Sequence, residues 1–154
     1  MNVLFICSGN TCRSPMAEVI ALSRLRADGG FHGAAVTSAG MAACPGDGAM
    51  PAAVRVSANH GLNLEGHRSK ALTVELIEAS DYVYTMTQGQ ALQLQRILPQ
   101  YADKVHPLIA DGDVKDPYGQ SDAVYENCFQ QIDAAIAALL PVWKNTQEKE
   151  NETL

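Results

Sequence analysis

The chain has 154 residues, of which 47% are hydrophobic and 18% are charged, and its formal net charge is −6. This length and balance suit one globular domain with a single core, and the negative charge, without any block of lysine or arginine, argues against a nucleic acid partner. No apolar run approaches the roughly 18 residues of a membrane span, so we expect no membrane partner.

Apolar runs that suit strands alternate with segments that suit helices along the chain. In chain order we predict a strand at 3–6, a helix at 15–26, a strand at 34–38, helices at 51–59 and 73–79, a strand at 82–86, a helix at 87–98, a short edge strand at 105–108, a loop at 109–120 and a long helix at 121–140. This alternation predicts an α/β fold with a parallel sheet and helices on both faces. We expect a domain at 1–143, followed by a polar, frayed tail at 144–154.

The loop between the first strand and the first helix contains residues that are typical of a catalytic site. It reads CSGNTCRS, so that Cys7 and Arg13 stand six positions apart. Free N–H groups and the helix dipole at such a place attract an anion and favour the thiolate form of a cysteine. Arg13 adds a planar fork that matches phosphate oxygens. The pattern indicates a nucleophile aimed at a phosphorus atom, at the carboxyl edge of the predicted sheet.

Phosphoryl transfer at this loop needs further donors and a source of protons. Backbone amides of the loop can hold the phosphate oxygens, which makes it a phosphate-binding P-loop. The predicted phosphate-binding residues are Ser8, Gly9, Asn10, Thr11, Cys12, Arg13 and Ser14. Asp116, stiffened by Pro117, is the best candidate to protonate the leaving group, and Asp111 and Asp113 are rival acids in the same loop.

Four segments together resemble the low-molecular-weight protein phosphatase family. They are the loop 7–14, the helix start 15–18, the Ser-Ala-Gly turn at 38–40 and the Asp-Pro-Tyr motif at 116–118. The resemblance runs from Val3 to about Leu140. It implies a three-layer flavodoxin-like fold with a four-stranded parallel sheet. It also implies a cysteine-dependent phosphatase that acts on phosphorylated protein side chains through a phosphocysteine, without metal or organic cofactor.

The same resemblance assigns roles within the site. Cys7 is the implied nucleophile, Arg13 the phosphate clamp and Asp116 the general acid. Ser14 is implied to tune the thiolate. Asn10 is implied to shape the loop through bonds to neighbours such as Ser38 and His67.

Thr11 and Tyr118 are the residues expected to decide the substrate. Tyrosine-directed members of the family usually carry a bulky aliphatic residue at position 11, whereas a threonine there resembles the protein arginine phosphatase branch. Phosphoarginine has N–H donors beside its phosphorus that a threonine hydroxyl can accept, whereas a phenyl ring prefers an apolar wall. We therefore predict a preference for phosphoarginine, with a protein-tyrosine phosphatase as the alternative because tyrosine-directed members often carry a tyrosine at position 118.

Two rival functions and a redox role are also open. An arsenate reductase would need a further cysteine pair near position 80, and Cys44 and Cys128 do not supply one. A phosphate-dependent binding module would not need the complete set of Cys7, Arg13 and Asp116. A Cys7–Cys12 disulfide could protect the nucleophile from over-oxidation. Because the start of the chain has no basic lead typical of a secretion signal, we expect a cytoplasmic enzyme.

Overall fold

The computed structural model describes residues 1–154 and contains four strands, five α-helices and one short 3₁₀ helix. The strands are β1 (Asn2–Cys7), β2 (Ala35–Gly40), β3 (Tyr82–Thr85) and β4 (Val105–Pro107). The helices are α1 (Arg13–Asp28), α2 (Pro51–Asn59), α3 (Val74–Glu78), α4 (Gln88–Ile97) and α5 (Asp122–Glu152), with the 3₁₀ helix at Pro99–Lys104. None of these helices combines the length and apolar character needed to cross a membrane.

The four strands form one parallel sheet in the order β2-β1-β3-β4. β1 lies between β2 and β3, with Cys7 paired to Gly40 and Val3 paired to Tyr82. β4 is one of the two edge strands, as expected because Pro107 cannot donate a ladder hydrogen bond. This order and direction confirm the predicted flavodoxin-like sheet.

Side chains of β1 alternate between two hydrophobic clusters on opposite faces of the sheet. Val3 and Phe5 lie in the cluster that includes buried residues of α1, α2 and α5, whereas Leu4 and Ile6 lie in the cluster that includes residues of α3 and α4. A strand that is apolar on both sides is covered on both sides, which gives the three layers. β1 is therefore held firmly on both faces up to its last residue, Cys7.

Local capping sets several helix boundaries where the sequence predicts them. Thr87 forms a capping box with Gln90 at the start of α4, and Thr73 accepts a hydrogen bond from the backbone N of Leu76 at the start of α3. Gly29, with φ 71°, ends α1 in the left-handed conformation. The 3₁₀ helix after Pro99 was not predicted.

The last helix corrects the prediction of an end at Leu140 and of a frayed tail from 144. α5 continues through Pro141 to Glu152. Beyond the proline, Trp143 is completely buried and its Nε1 donates to the Tyr84 hydroxyl at 2.9 Å, which anchors the helix to the sheet. This burial offsets the one helical hydrogen bond that proline removes. A domain boundary at 143 stays a prediction.

Candidate active site

Residues 7–14 wrap the N-terminus of α1 at the carboxyl end of the central strand. Cys7 is 2% exposed at the end of β1, Cys12 is the N-cap and Arg13 is the first residue of α1. The helix has neither a capping side chain nor an acidic residue in its first turn. Its first amide groups are therefore left for an external anion.

Two donors converge on the sulfur of Cys7. The Ser14 Oγ lies 2.9 Å from the Cys7 Sγ, and the backbone N–H of Asn10 donates to the same sulfur at 3.3 Å. The Nδ2 of Asn10 donates to Ser14 Oγ at 2.8 Å, so that the hydroxyl proton of Ser14 remains for the sulfur. A hydroxyl and an amide aimed at one sulfur stabilise a thiolate.

Asn10 holds the loop in its anion-binding shape. It is the only non-glycine residue with positive φ, at 55°, and it is completely buried. Its carbonyl accepts from His67 Nε2 at 2.7 Å and from Ser69 Oγ at 2.8 Å. Its side chain donates to Ser38 Oγ at 2.9 Å and accepts from the backbone N of Lys70 at 3.1 Å. The contacts with Ser38 and His67 are those that the family resemblance implied, whereas Ser69 and Lys70 were missed.

His67 supports Asn10 in its neutral form. A carbonyl oxygen can only accept, so His67 carries its proton on Nε2. Burial lowers the pKa of His67 and raises the pKa of Glu18, whose carboxylate lies 4.0 Å from His67 Nδ1. The lowered pKa favours an uncharged His67 under the loop, so that His67 adds no positive charge beside Arg13.

Gly40 makes room for the loop at the end of β2. A Cβ at this position would lie 2.7 Å from the Ser8 carbonyl oxygen and 3.0 Å from the Asn10 nitrogen. Any larger residue would push the loop away from the strand, so the predicted turn at 38–40 has a steric reason for ending in glycine.

Arg13 connects the loop to the segment that carries Asp116. Its Nη1 donates to the Val114 carbonyl at 2.9 Å, and its Nη2 lies 3.8 Å from Asp116 Oδ2. The Asp116 side chain is 54% exposed, and its Oδ1 accepts from the Tyr118 backbone N at 3.1 Å. The carboxylate thus reaches the anion site from the solvent side, where a leaving group would depart.

The rival acids are not placed for proton transfer at the sulfur. Asp113 Oδ1 accepts a hydrogen bond from the backbone N of Gln88 at the start of α4. Asp111 is exposed and makes no side-chain hydrogen bond. Only Asp116 of the three lines the cavity with Cys7.

A cavity of about 260 Å³ opens over the loop. Its lining residues are Cys7, Gly9, Thr11, Cys12, Arg13, Asp116 and Tyr118. Of the other predicted phosphate-binding residues, Asn10 and Ser14 are buried behind the sulfur, and Ser8 is exposed with its Oγ accepting from Gln90 Nε2 at 3.2 Å. No cluster of His, Cys, Asp and Glu side chains suited to a metal ion occurs in residues 1–154.

Two residues of α5, Tyr125 and Cys128, lie close to the loop, although the sequence did not indicate them as part of the site. The Tyr125 hydroxyl lies 3.3 Å from Cys12 Sγ. Cys128, one turn further along α5, is buried in the same core cluster as Cys12. Burial raises the pKa of Cys12, and it raises the pKa of Cys128 to about 12. Both thiols are therefore neutral at physiological pH. Their spacing of three residues places Tyr125 and Cys128 on one face of the helix, but the sequence does not show that this face packs against the loop with Cys12.

Comparison with known proteins gives a consistent assignment. A sequence model of the family described as low molecular weight phosphotyrosine protein phosphatase matches residues 2–152. The chain is 33% identical to a probable low molecular weight protein-tyrosine-phosphatase EpsP of Ralstonia nicotianae, over 90% of this chain and 93% of the relative. It is 35% identical to a protein-arginine-phosphatase of Bacillus subtilis, over 90% of this chain and 94% of that relative.

A solved structure shares the fold over the whole length. The arginine phosphatase YwlE, in a mutant whose active-site serine is phosphorylated, superposes with a TM-score of 0.86 at 32% identity. The superposition covers 99% of each chain. The phosphorylated active-site serine of this neighbour agrees with the phosphate chemistry that the loop around Cys7 allows.

Proposed function

This chain belongs to the low molecular weight phosphotyrosine protein phosphatase family and is a cysteine-dependent phosphatase, and we propose that its preferred substrates are proteins phosphorylated on arginine. The observation that carries the proposal is the position of Thr11, which lines the same cavity as Cys7 and Asp116. Its hydroxyl can accept a hydrogen bond from the guanidinium N–H beside the phosphorus. The relationship to a protein-arginine-phosphatase of Bacillus subtilis supports this assignment.

The proposed reaction has two steps. The Cys7 thiolate attacks phosphorus in line, the S–P bond forms and the P–N bond breaks, and Asp116 gives its proton to the departing nitrogen. Arg13 and the loop amides hold the three non-bridging oxygens as charge develops. Water then attacks the phosphocysteine while Asp116 takes up a proton. Inorganic phosphate leaves and the Cys7 thiolate is regenerated.

Phosphotyrosine is the second candidate substrate, and Tyr118 is the observation that favours it. Tyr118 is 63% exposed and lines the cavity, where its ring can pack against an aromatic leaving group. The family description and the Ralstonia relative name this activity. The two substrates share every catalytic residue and differ in what they require at position 11.

We expect Thr11→Ile to reverse the substrate preference. Loss of the hydroxyl leaves a guanidinium donor unpaired, which should lower kcat/KM for a phosphoarginine peptide roughly tenfold or more. The added apolar surface should raise kcat/KM for a phosphotyrosine peptide of the same sequence. The measurement is a side-by-side assay of both peptides. Thr11→Ser keeps a hydroxyl and serves as the matched control, and Thr11→Val removes it with little change in shape.

The outcome of that assay decides between the substrates. Wild-type preference for phosphotyrosine, together with little change in Thr11→Ile, would show that the arginine assignment is wrong. A loss in Thr11→Ser without a loss in Thr11→Val would mean that the methyl group rather than the hydroxyl matters.

The Cys7–Cys12 disulfide is part of the same proposal. Both cysteines line the cavity and both are free thiols. Hydrogen peroxide would oxidise the Cys7 thiolate to a sulfenic acid, and attack by the Cys12 sulfur would then form the disulfide and release water. For this step Cys12 must leave its contact with the Tyr125 hydroxyl.

We expect peroxide inactivation to be rapid and fully reversible by dithiothreitol in the wild type. In Cys12→Ser the sulfenic acid has no partner, so prolonged exposure should produce irreversible loss of activity. Activity recovered after dithiothreitol, with the mass of the peptide containing residue 7, checks this. The matched control is Cys44→Ser, since Cys44 is exposed and outside the cavity lining. Identical recovery in Cys12→Ser would contradict the disulfide.

We also place the enzyme in the cytoplasm. All four cysteines are unpaired, and the reaction requires a reduced nucleophile, which suits a reducing compartment. Its macromolecular partners are then the phosphorylated proteins of that compartment.

A further inference from the structure

The segment that carries Asp116 has no regular secondary structure, yet its backbone is held at many points. Leu108 N donates to the Thr85 carbonyl and Val114 N donates to the Met86 carbonyl, each at 2.8 Å. These two bonds attach the segment to the end of β3. Between them lie five residues, 109–113, that make no backbone hydrogen bond to the sheet.

The side chain of Gln88 fills this gap. It is the first residue of α4 and is half-buried. Its Nε2 lies 3.1 Å from the Ile109 carbonyl, 2.8 Å from the Ala110 carbonyl and 3.4 Å from the Gly112 carbonyl. An amide nitrogen has two protons, so the two shorter contacts are full hydrogen bonds and the third shares a proton. The segment therefore curls around one amide group.

Asp113 makes a reciprocal contact with Gln88. Its Oδ1 accepts from the backbone N of Gln88 at 2.8 Å, at the N-terminus of α4 where the amide groups are free and the dipole favours a carboxylate. Each residue thus binds the backbone of the other's segment. No other side chain of α4 holds this stretch, and from α5 only Gln131 Nε2 donates to it, at 3.3 Å from the Asp113 carbonyl.

Gln88 and Asp113 are connected to the reacting groups through the backbone that follows Asp113. The residue after Asp113 is Val114, whose carbonyl accepts from Arg13 Nη1 at 2.9 Å. Two residues later Asp116 lies 3.8 Å from Arg13 Nη2. The proposed proton donor is half-exposed, and its side chain makes no hydrogen bond or ion pair outside its own segment other than the one with Arg13. Its position depends on the backbone of Val114, which the Met86 carbonyl and Arg13 hold, and on residues 109–113, which precede Val114.

We propose that Gln88 and Asp113 form a clamp that positions Asp116 for proton transfer to the leaving group. Gln88 is a positioning residue and touches neither substrate nor Cys7. The inference rests on the proposed function, because it requires a general acid at Asp116. Loss of the clamp leaves the thiolate and the phosphate loop intact and broadens the range of positions that the carboxyl group occupies.

The test measures kcat/KM for aryl phosphates whose leaving groups differ in pKa, with phenyl phosphate and 4-nitrophenyl phosphate as the extremes. In Gln88→Ala we expect a loss of roughly tenfold for phenyl phosphate and less than about twofold for 4-nitrophenyl phosphate, because only the poor leaving group needs the proton. In an Asp116→Asn background, Gln88→Ala should cause no further loss, since the two residues act through one step.

Three variants separate positioning from general effects. Gln88→Glu keeps the size of the side chain but removes the donors, so it should lose as much as Gln88→Ala. Asp113→Asn keeps an oxygen acceptor and should recover most of what Asp113→Ala loses. Gln95→Ala is the matched control: Gln95 lies on the same helix and donates to the Val105 carbonyl at 2.8 Å, away from the segment with Asp116.

Every outcome bears on the clamp. A loss of the same size for both substrates, a further loss in the Asp116→Asn background, unfolding of the Gln88 variants by circular dichroism, or unchanged kinetics would each overturn it. The proposed function fails separately, if wild-type hydrolysis of aryl phosphates does not depend on Cys7.

Discussion

Cys7→Ser is expected to abolish turnover of every substrate, with a fall in kcat/KM of roughly 10⁴-fold or more, because a serine hydroxyl is not ionised at neutral pH and cannot replace the thiolate. The surroundings of the sulfur are built for an anion. Ser14 Oγ lies at 2.9 Å and the Asn10 amide at 3.3 Å, and both can donate to it. A neutral hydroxyl gains little from either donor and remains a poor nucleophile.

The loop should keep its shape in this variant. Asn10 is held by His67, Ser69, Ser38 and Lys70, none of which contacts the sulfur. We therefore expect Cys7→Ser to bind inorganic phosphate with nearly the wild-type affinity, measured by isothermal titration calorimetry. Binding without turnover assigns the loss to the chemical step rather than to folding.

Cys44→Ser provides the control for loss of a thiol as such. Cys44 is exposed and does not line the cavity, so its removal should leave kcat/KM unchanged. Hydrolysis that persists in Cys7→Ser above the rate of a mock preparation would overturn the mechanism itself, whichever phosphorylated side chain is the substrate.

Much of this site follows from short stretches of sequence, because each stretch carries its own physical signal. The apolar run of β1 predicts a buried strand, the asparagine of the loop suits the positive φ that it adopts, and Pro15 predicts a helix start. Once the strands are parallel, the end of β1 must lie at the edge where ligands bind. Cys7 and Arg13 are placed by local signals alone.

Contacts between distant segments are less accessible from sequence. The choice of Asp116 over Asp113 depends on which carboxylate the N-terminus of α4 captures, and that pairing spans 25 residues. The hydrogen bond between Tyr125 and Cys12 spans 113 residues. Likewise, the extent of α5 beyond Pro141 depends on the burial of Trp143 against β3. Local propensity ends the helix at the proline, and tertiary packing extends it.

Asp116→Asn is expected to lower kcat/KM by about 100-fold for phenyl phosphate, and much less for 4-nitrophenyl phosphate, because general acid catalysis matters in proportion to the basicity of the leaving group. The carboxylate lies 3.8 Å from Arg13 Nη2 and lines the cavity over Cys7. Asparagine keeps the size and the acceptor for the Tyr118 amide but has no proton to give. A plot of log kcat/KM against leaving-group pKa should therefore become steeper.

The second step responds differently, and this separates the two proposed duties of Asp116. Hydrolysis of the phosphocysteine needs a base to take a proton from water, whatever the first leaving group was. In Asp116→Asn, kcat for 4-nitrophenyl phosphate should therefore fall although kcat/KM changes little, and a burst of 4-nitrophenol should precede the slow steady state.

Asp111→Asn is the matched control, since Asp111 lies in the same segment, is exposed and makes no side-chain hydrogen bond. It should leave both kinetic constants unchanged. An equal fall in kcat/KM for all leaving groups in Asp116→Asn would mean that the carboxylate acts through its ion pair with Arg13 rather than as a proton donor. A steeper plot without any change in the burst of 4-nitrophenol would assign the carboxylate to the first step alone, with another base activating the water.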